Sequence, residues 1–232
     1  MNAPPLLSSI TVVVAAAGKG VRFGSDVAKQ YLDIDGKSVI EHALEGLEAL
    51  SPKEIVLVVA ADDEYYLTLP AARRCRVVVG GDTRAQSVVN ALSAIDISPD
   101  DWVMVHDGAR PCVDASDIAR LIEAAAKNEA GGLLARRVIE TVKSADEFQR
   151  ALSTEDRDAL WLAQTPQLFR FGLLKRAMAD ALESDVALTD ESSALEFAGY
   201  RPVLVEGSSN NIKVTRPHDL ELARWLLARE MN

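Results

Sequence analysis

Apolar residues occur along the chain in short uninterrupted runs, and amphipathic segments separate these runs. The first run, 10–17, consists of small and β-branched residues without polar alternation, which is typical of a strand buried on both faces. Similar runs predict strands over 55–60, 76–79 and 102–106. Because helical segments connect them, the pattern predicts strand–helix–strand units and therefore a parallel sheet with right-handed crossovers.

The amphipathic segments carry signals for where helices begin and end. Ser38 and Glu41 form a capping-box pattern at the start of one helix, and a second helix is predicted over 114–127. Thr189 is expected to cap a further helix that ends at Gly199. The second half of the chain adds four predicted elements, which are helices over 173–182 and 217–230 and strands over 202–206 and 212–214.

The segment 136–158 differs in composition from the rest of the chain. It is rich in charged residues and has too few apolar positions for a core element of its length. One interpretation is a solvated hairpin, which the composition alone favours. The other is an arm, spanning residues 136–160, that reaches a partner subunit.

A glycine-rich loop follows the first predicted strand, with Gly18 and Gly20 at its start. Glycines let backbone N–H groups approach an anion without a Cβ in the way, and Arg22 and Lys29 add positive charge. Phe23 stands where a dinucleotide fingerprint needs its third glycine, and no G-x-x-x-x-G-K-S/T motif occurs. Taken alone, the loop is either a phosphate cradle of another kind or an ordinary strand-to-helix turn.

Polar residues follow two further strands at the sheet edge where parallel strands end. Gly81, Asp82 and Ser87 come after the strand at 76–79 and are candidates for contacting a base or sugar, with a helix cap as the alternative. Asp107 follows the next strand. A lone carboxylate there suits Mg²⁺, which takes few protein carboxylates and completes its shell with water and phosphate oxygens. A turn-initiating aspartate is the alternative interpretation.

The sequence also predicts where the side chains of His106 and Thr165 lie. His106 precedes Asp107 and should point to the opposite face of the strand, so no His–Asp dyad is expected. Thr165 precedes Pro166, which favours extended backbone and predicts that the threonine hydroxyl lies in a loop.

Composition limits the classes of function. The chain has 232 residues and is 48% hydrophobic, which is enough to bury the core of a single domain, expected to span 1–232. A net charge of -10 argues against non-specific binding to nucleic acid or anionic membranes. Cys75 and Cys112 form no C-x-x-C motif, so a reducing cytoplasm is expected. No apolar run is long enough for a membrane span, and the first residues do not form a convincing export signal.

Six segments together resemble a known enzyme family. They are AAAGKGVRFGSDVAKQYL, GGDTRAQSV, VMVHDGARP, LAQTPQLF, TDESSALE and NIKVTRPHDL. Their order and spacing are similar to those of the 2-C-methyl-D-erythritol 4-phosphate cytidylyltransferases. The resemblance implies an α/β, Rossmann-like nucleotidyltransferase fold, which has a mostly parallel sheet with helices on both faces and a protruding dimerisation arm.

The resemblance also implies an activity. The family transfers the cytidylyl group of CTP to 2-C-methyl-D-erythritol 4-phosphate and releases pyrophosphate, in the non-mevalonate route to isoprenoid precursors. A Mg²⁺ cofactor and a homodimer are implied as well. A cytidylyltransferase for a pentitol phosphate such as ribitol 5-phosphate is one alternative, although the segment 190–196 resembles the methylerythritol enzymes more closely. A non-catalytic CTP-binding protein is the other.

Residue roles carry over from the family position by position. The CTP loop would be lined by Ala16, Ala17, Gly18 and Gly20, and the cytosine pocket by Gly81, Asp82 and Ser87. Asp107 would lie by the ribose and bind Mg²⁺. The residues expected to be catalytic are Arg22, Lys29 and Lys213, which would contact the triphosphate, and Arg157, which would come from the other subunit. Methylerythritol phosphate would face Arg110, Thr141, Thr165, Thr189 and Lys213.

The sequence departs from the family pattern at two positions. Gly108 stands where alanine is common, and we expect this change to be mild. Glu140 stands where aspartate often precedes the threonine, and we expect this longer side chain to affect the local geometry around Thr141.

Overall fold

The computed structural model describes residues 4–18 and 28–230. Gly20 and Arg22 lie outside these ranges, so the roles expected for them remain predictions. The strands are β1 (Thr11–Ala15), β2 (Asp33–Ile34), β3 (Lys37–Ser38), β4 (Glu54–Val59), β5 (Arg76–Val79), β6 (Trp102–Asp107), β7 (Gly132–Arg137), β8 (Lys143–Ala145), β9 (Ala151–Thr154), β10 (Trp161–Arg170) and β11 (Val203–Glu206). The α-helices are α1 (Val39–Glu48), α2 (Arg84–Ala94), α3 (Ala115–Ala125), α4 (Phe171–Glu183), α5 (Glu191–Phe197) and α6 (Pro217–Glu230).

One seven-stranded sheet organises the fold, in the order β11-β7-β10-β6-β1-β4-β5. Every neighbouring pair is parallel except for the two pairs that include β10, which runs antiparallel to both β6 and β7. The prediction of a mostly parallel sheet is therefore confirmed. The carboxyl ends of β1, β4, β5 and β6 lie along one edge of the sheet, which we call the upper rim.

Helices cover both faces of the sheet because each central strand is apolar on both sides. In β1, Val12 and Val14 pack with residues of α1 and α3, while Val13 packs with residues of α2, α4 and α5. All three valines are at most 1% exposed. This packing explains the uninterrupted apolar run at the start of the chain.

Helix starts follow the predictions with one correction. The capping box of α1 is present, with the Glu41 carboxylate accepting from the Ser38 N–H at 2.9 Å. The prediction that Thr189 caps α5 is wrong, because the cap is Asp190, whose carboxylate accepts from the Ser193 N–H at 2.9 Å. The helix that follows does end at Gly199, which has φ +87°.

Two further expectations about strands are corrected. Thr165 lies within β10 and not in a loop, although the strand register shifts between Ala163 and Gln167. Residues 212–214 form no strand. The Val214 N–H instead donates to the carbonyl of Ala109 at 2.8 Å, which fixes Lys213 beside the end of β6.

The charged segment forms a small antiparallel hairpin of β8 and β9. It leaves the sheet at the end of β7 and returns through β10, so both of its connections lie at the upper rim. Ile139, Phe148 and Leu152 are 70%, 68% and 68% exposed, respectively. The prediction of a hairpin is confirmed, and its contact with a partner subunit remains a prediction. Of the helices in the described ranges, none is long and apolar enough to cross a lipid bilayer.

Candidate active site

A cleft of about 540 Å³ opens at the upper rim, above β1, β4, β5 and β6. Its size lies within the usual range of small-molecule sites. The sequence-predicted residues that line it are Ala16, Ala17, Gly18, Lys29, Gly81, Asp82, Ser87, Asp107 and Lys213. The fold therefore brings the predicted nucleotide residues of the described ranges into one cavity.

Backbone approach at Gly80 and Gly81 shapes one wall of the cleft. A Cβ on Gly80 would lie 2.7 Å from both the Cβ of Ala17 and the Oγ of Ser87, so only glycine fits there without rearrangement. The Gly81 N–H donates to the Ser87 hydroxyl at 3.1 Å. That hydroxyl donates in turn to the Thr83 carbonyl at 2.8 Å. The wall is thus held by hydrogen bonds between the end of β5 and the first turn of α2.

Asp107 lies at the base of the cleft and is surrounded by cations. Its Oδ1 accepts from the Nε of Arg84 at 3.0 Å, and its Oδ2 lies 2.7 Å from the Nζ of Lys213. The Nε of Arg110 is 3.7 Å from Oδ2. Burial alone would raise the pKa of Asp107, but the charges of Arg84, Lys213 and Arg110 hold it well below its usual range. Asp107 is therefore ionised.

Sequence reasoning missed Arg84 and Glu191, which form an ion pair at the site with the Glu191 side chain fully buried. The Nη1 and Nη2 atoms of Arg84 lie 2.7 Å and 3.1 Å from the two carboxylate oxygens of Glu191. Burial raises the pKa of Glu191, although the charge of Arg84 opposes this effect. One signal was present in the sequence. An arginine in the first turn of a helix is unfavourable beside the helix dipole, which marks Arg84 as a candidate for a carboxylate partner.

The two predicted lysines of the described ranges contribute to the same cleft. Lys29 begins a short 3-10 turn, Lys29–Tyr31, and lines the cavity together with Lys213. The Gln30 side chain donates to the Ala16 carbonyl at 2.8 Å, which ties this turn to the end of β1. Positive side chains from opposite ends of the chain therefore face one space, as the predicted triphosphate contact requires.

His106 points away from the cleft, as predicted, and its ring is held in a buried network. One ring nitrogen, Nε2, is 3.0 Å from the Arg110 carbonyl, and the other, Nδ1, is 3.2 Å from the Thr165 hydroxyl. The same hydroxyl accepts from the Asp107 N–H at 3.0 Å. Burial lowers the pKa of His106 to about 4. The imidazole is therefore neutral at pH 7. It packs in the buried network that also holds the backbone of Asp107.

The residues predicted to face methylerythritol phosphate are distributed around the cleft. Arg110 lies beside Asp107 and donates to the Asn211 carbonyl at 2.7 Å. Thr165 is 3% exposed, whereas Thr189 and Thr141 are exposed. Arg157 is exposed in a 3-10 turn after β9 and donates to the Ile139 carbonyl. Of the residues predicted to face methylerythritol phosphate, Lys213 lines the cleft of its own chain, and Arg110, Thr141, Arg157, Thr165 and Thr189 do not. Their substrate contacts remain predictions.

The donor set around Asp107 fits a magnesium ion that is bound together with phosphate. No group of three or more histidine, cysteine, aspartate or glutamate side chains within the described ranges is arranged to hold a metal. A self-sufficient metal site, as zinc would need, is thus not built from these residues. A single carboxylate at a phosphate-binding cleft matches Mg²⁺, because the ion completes its shell with water and phosphate oxygens.

Similarity to known proteins extends over nearly the whole chain. The family model described as IspD, 2-C-methyl-D-erythritol 4-phosphate cytidylyltransferase, matches residues 10–229. A relative with this enzyme name from Mannheimia succiniciproducens is 48% identical over 224 residues, which cover 95% of this chain and 97% of the relative. The crystal structure of the Francisella tularensis enzyme is 38% identical with a TM-score of 0.80, covering 94% of this chain and 100% of that chain. The crystal structure of the Thermus thermophilus enzyme is 31% identical with a TM-score of 0.79, covering 94% and 98%.

Proposed function

The chain belongs to the 2-C-methyl-D-erythritol 4-phosphate cytidylyltransferase family, and from this we infer that its cleft carries out the family's reaction with the residues described above. The enzyme is a nucleotidyltransferase that transfers the cytidylyl group of CTP to 2-C-methyl-D-erythritol 4-phosphate. The products are 4-diphosphocytidyl-2-C-methyl-D-erythritol and pyrophosphate, and the reaction belongs to isoprenoid precursor biosynthesis.

The chemistry of the step explains why the site is rich in cations. A phosphate oxygen of methylerythritol phosphate attacks the α-phosphorus of CTP. The bond between that phosphorus and the oxygen that bridges it to the β-phosphate breaks, and pyrophosphate leaves. The nucleophile is already anionic near neutral pH, because the second pKa of a phosphate monoester is about 6. No general base is needed. The barrier comes from repulsion between two polyanions and from charge that grows at the reacting phosphorus, so fixed positive groups should carry the catalysis.

The convergence of Lys29 and Lys213 on one cleft carries this proposal. Lys213 is only partly exposed and already lies beside Asp107, so its ammonium group is held near the place where the phosphates would lie. Lys29 lines the same cleft from the 3-10 turn Lys29–Tyr31. Arg22 is assigned to the triphosphate from the sequence resemblance alone. Together these charges would neutralise the triphosphate and stabilise the leaving pyrophosphate.

The two sides of the cleft suggest how CTP lies within it. The wall of Gly80, Gly81 and Ser87 offers backbone groups and one hydroxyl, which suits the edge of a cytosine base. The opposite side, with Gly18 and Lys29, suits phosphates. We therefore place the base against the start of α2 and the triphosphate over the end of β1.

We propose that Mg²⁺ is the cofactor and that Asp107 supplies its protein ligand. When bound, the ion would neutralise phosphate charge and polarise the reacting phosphoryl group. Asp107 suits this role because the nearby cations keep it ionised. Arg84, Arg110 and Lys213 would at the same time fix the direction of its carboxylate.

A homodimer through the hairpin arm is proposed on two observations. The hairpin exposes the apolar side chains of Ile139, Phe148 and Leu152, which a partner could cover. Arg157 and Thr141 lie at the base of the same hairpin and line no part of the cleft of their own chain. Both residues could therefore serve the acceptor site of the partner. A cytoplasmic location is proposed from the two cysteines, Cys75 and Cys112, which form no disulfide.

The decisive experiment measures pyrophosphate release from CTP and Mg²⁺ with different acceptors. We expect release with methylerythritol phosphate and release with ribitol 5-phosphate that is slower by about tenfold to two-hundredfold, because ribitol 5-phosphate lacks the branching methyl group and a one-carbon difference in a pocket is worth about that factor. Preferential use of ribitol 5-phosphate would favour the pentitol phosphate alternative. CTP binding without pyrophosphate release from either acceptor would favour a non-catalytic CTP-binding protein. Isothermal titration calorimetry with CTP in the same buffer measures nucleotide binding separately from pyrophosphate release, so binding without turnover can be recognised.

A further inference from the structure

Arg84 joins two carboxylates by different edges of its guanidinium group. Its Nη1 and Nη2 atoms contact Glu191 at 2.7 Å and 3.1 Å, whereas its Nε contacts Asp107 at 3.0 Å. The side chain of Glu191 is fully buried, and that of Arg84 is 28% exposed. Glu191 is therefore placed to control which atoms of Arg84 reach the cleft.

Stability is a weak explanation for this pair. Removing two charged groups from water costs free energy, and replacing such pairs by apolar residues is often neutral or stabilising. Glu191 also lies in the first turn of α5, where Asp190 and Ser193 already cap the helix. The carboxylate of Glu191 is thus not required to start the helix, and its contact with Arg84 needs another reason.

We propose that Glu191 is a positioning residue that restrains Arg84 and so keeps one oxygen of Asp107 open to exchange. Because Glu191 pairs end-on with both Nη atoms, it fixes the guanidinium so that the Nε of Arg84 faces Oδ1 of Asp107. The other oxygen, Oδ2, lies 2.7 Å from the 37%-exposed Lys213 ammonium, which can leave it for a phosphate, and 3.7 Å from the Nε of Arg110, beyond hydrogen-bond distance. This inference rests on the proposed magnesium site at Asp107.

The alternative arrangement shows what the restraint prevents. Arginine and carboxylate groups readily form two parallel hydrogen bonds. If Glu191 did not hold the Nη atoms, the guanidinium of Arg84 could turn and bind both oxygens of Asp107. A divalent cation would then compete with a fixed positive charge for that carboxylate.

The test measures Mn²⁺ binding, followed by the EPR signal of free Mn²⁺, in the presence of CTP. Glu191→Gln removes the charge and one acceptor, and we expect Mn²⁺ affinity to fall about tenfold or more, as for other residues that orient metal ligands. The matched control is Glu196→Gln on the exposed side of the same helix, which should leave the affinity unchanged. The Mg²⁺ concentration needed for half-maximal rate should rise by a similar factor in Glu191→Gln, with kcat at saturating Mg²⁺ within about threefold of wild type.

The double variant Arg84→Met/Glu191→Met tests whether Glu191 acts by restraining the Arg84 guanidinium or only by stabilising the fold. It removes the freed guanidinium together with the hold of Arg84 on Oδ1, so we expect Mn²⁺ affinity to recover in part, to a value above that of Glu191→Gln. A metal-free crystal structure of Glu191→Gln should show Arg84 bound to both oxygens of Asp107. Unchanged Mn²⁺ affinity in Glu191→Gln, or no recovery in the double variant, would overturn the inference.

Asp107→Asn tests the metal site itself. If this variant binds Mn²⁺ as wild type does, the magnesium site is wrong. If it loses Mn²⁺ binding while Glu191→Gln does not, only the positioning role fails.

Discussion

The ammonium nitrogen of Lys213 lies 2.7 Å from the Oδ2 atom of Asp107. This contact joins a residue near the last helix to the end of a central strand, so it depends on the complete fold. It also gives the cleft one fixed anion with a cation directly beside it. When phosphates enter, Lys213 can pass from the carboxylate to the phosphates without crossing the cleft.

We predict that Lys213→Ala and Lys29→Ala lower kcat by about a hundredfold to a thousandfold, which is the usual cost of losing one preorganised contact to the transition state. Steady-state kinetics with both substrates measure this effect. The matched control is Lys127→Ala, because Lys127 pairs with Glu123 on the surface of α3. A change confined to KM would contradict the catalytic assignment.

Arg157→Ala should raise the KM for methylerythritol phosphate by about tenfold or more, since one charged contact to phosphate contributes about 1.5–3 kcal/mol. The KM for CTP should stay the same. Arg150→Ala is the control on the same hairpin, because Arg150 pairs with Asp146 within the hairpin.

Mixed dimers test whether Arg157 serves the partner's site. Dimers that combine Arg157→Ala with Lys29→Ala chains should regain part of the activity, because one of their two sites keeps both residues. Sedimentation measures the dimer, and pyrophosphate release measures the activity. Absence of any recovery in confirmed mixed dimers would count against donation between subunits.

Gly80→Ala should raise the KM for CTP about tenfold, because the new methyl group would displace the Ser87 hydroxyl from the Gly81 N–H and cost about 1–2 kcal/mol. Gly46→Ala provides the comparison. Gly46 lies in α1 with no atom within 4 Å of the new Cβ, so this change should stabilise the fold by about 0.5–1 kcal/mol and leave KM unchanged. Equal CTP affinity in Gly80→Ala and wild type would show that this wall is not part of the nucleotide site.

The buried imidazole of His106 predicts a pH dependence of stability. Its pKa is lowered from 6.5 to about 4, so between these values the unfolded chain takes up a proton that the folded chain excludes. Stability must therefore fall as the pH falls, by about 2 kcal/mol between about pH 7 and pH 5. Urea unfolding of wild type and His106→Gln at both pH values measures this contribution. A pH slope in His106→Gln equal to that of wild type would disprove the assignment.

Local sequence patterns predicted the elements of the central sheet because periodicity reports burial directly. The apolar run at 10–17 corresponds to a strand buried on both faces, and the capping box at Ser38 is present. The same reasoning failed for Thr165. The following proline restricts the backbone of Thr165 to an extended conformation, but it does not show whether that extended segment belongs to a loop or to a strand of the sheet. It failed for Thr189 because Asp190 is an equally good cap one residue later.

The cleft residues that directly follow predicted strands could be identified from the sequence. Contacts between residues that lie far apart in the chain could not. Asp107 could be selected from its position alone. The link from Arg84 to Glu191 spans two helices of different sequence segments, so no local pattern contains it. The expected mild effect of Gly108 also needs the structure, which places an added Cβ 3.2 Å from a terminal methyl of Ile40. A small movement of that flexible side chain would accommodate alanine.

The antiparallel direction of β10 has a consequence for regulation by assembly. The chain leaves β7 and re-enters β10 at the same rim, so a molecule that binds the hairpin lies at the edge of the sheet that carries the cleft. If binding at the hairpin changes the affinity of the cleft for its ligand, that ligand must change the affinity of the hairpin by the same factor.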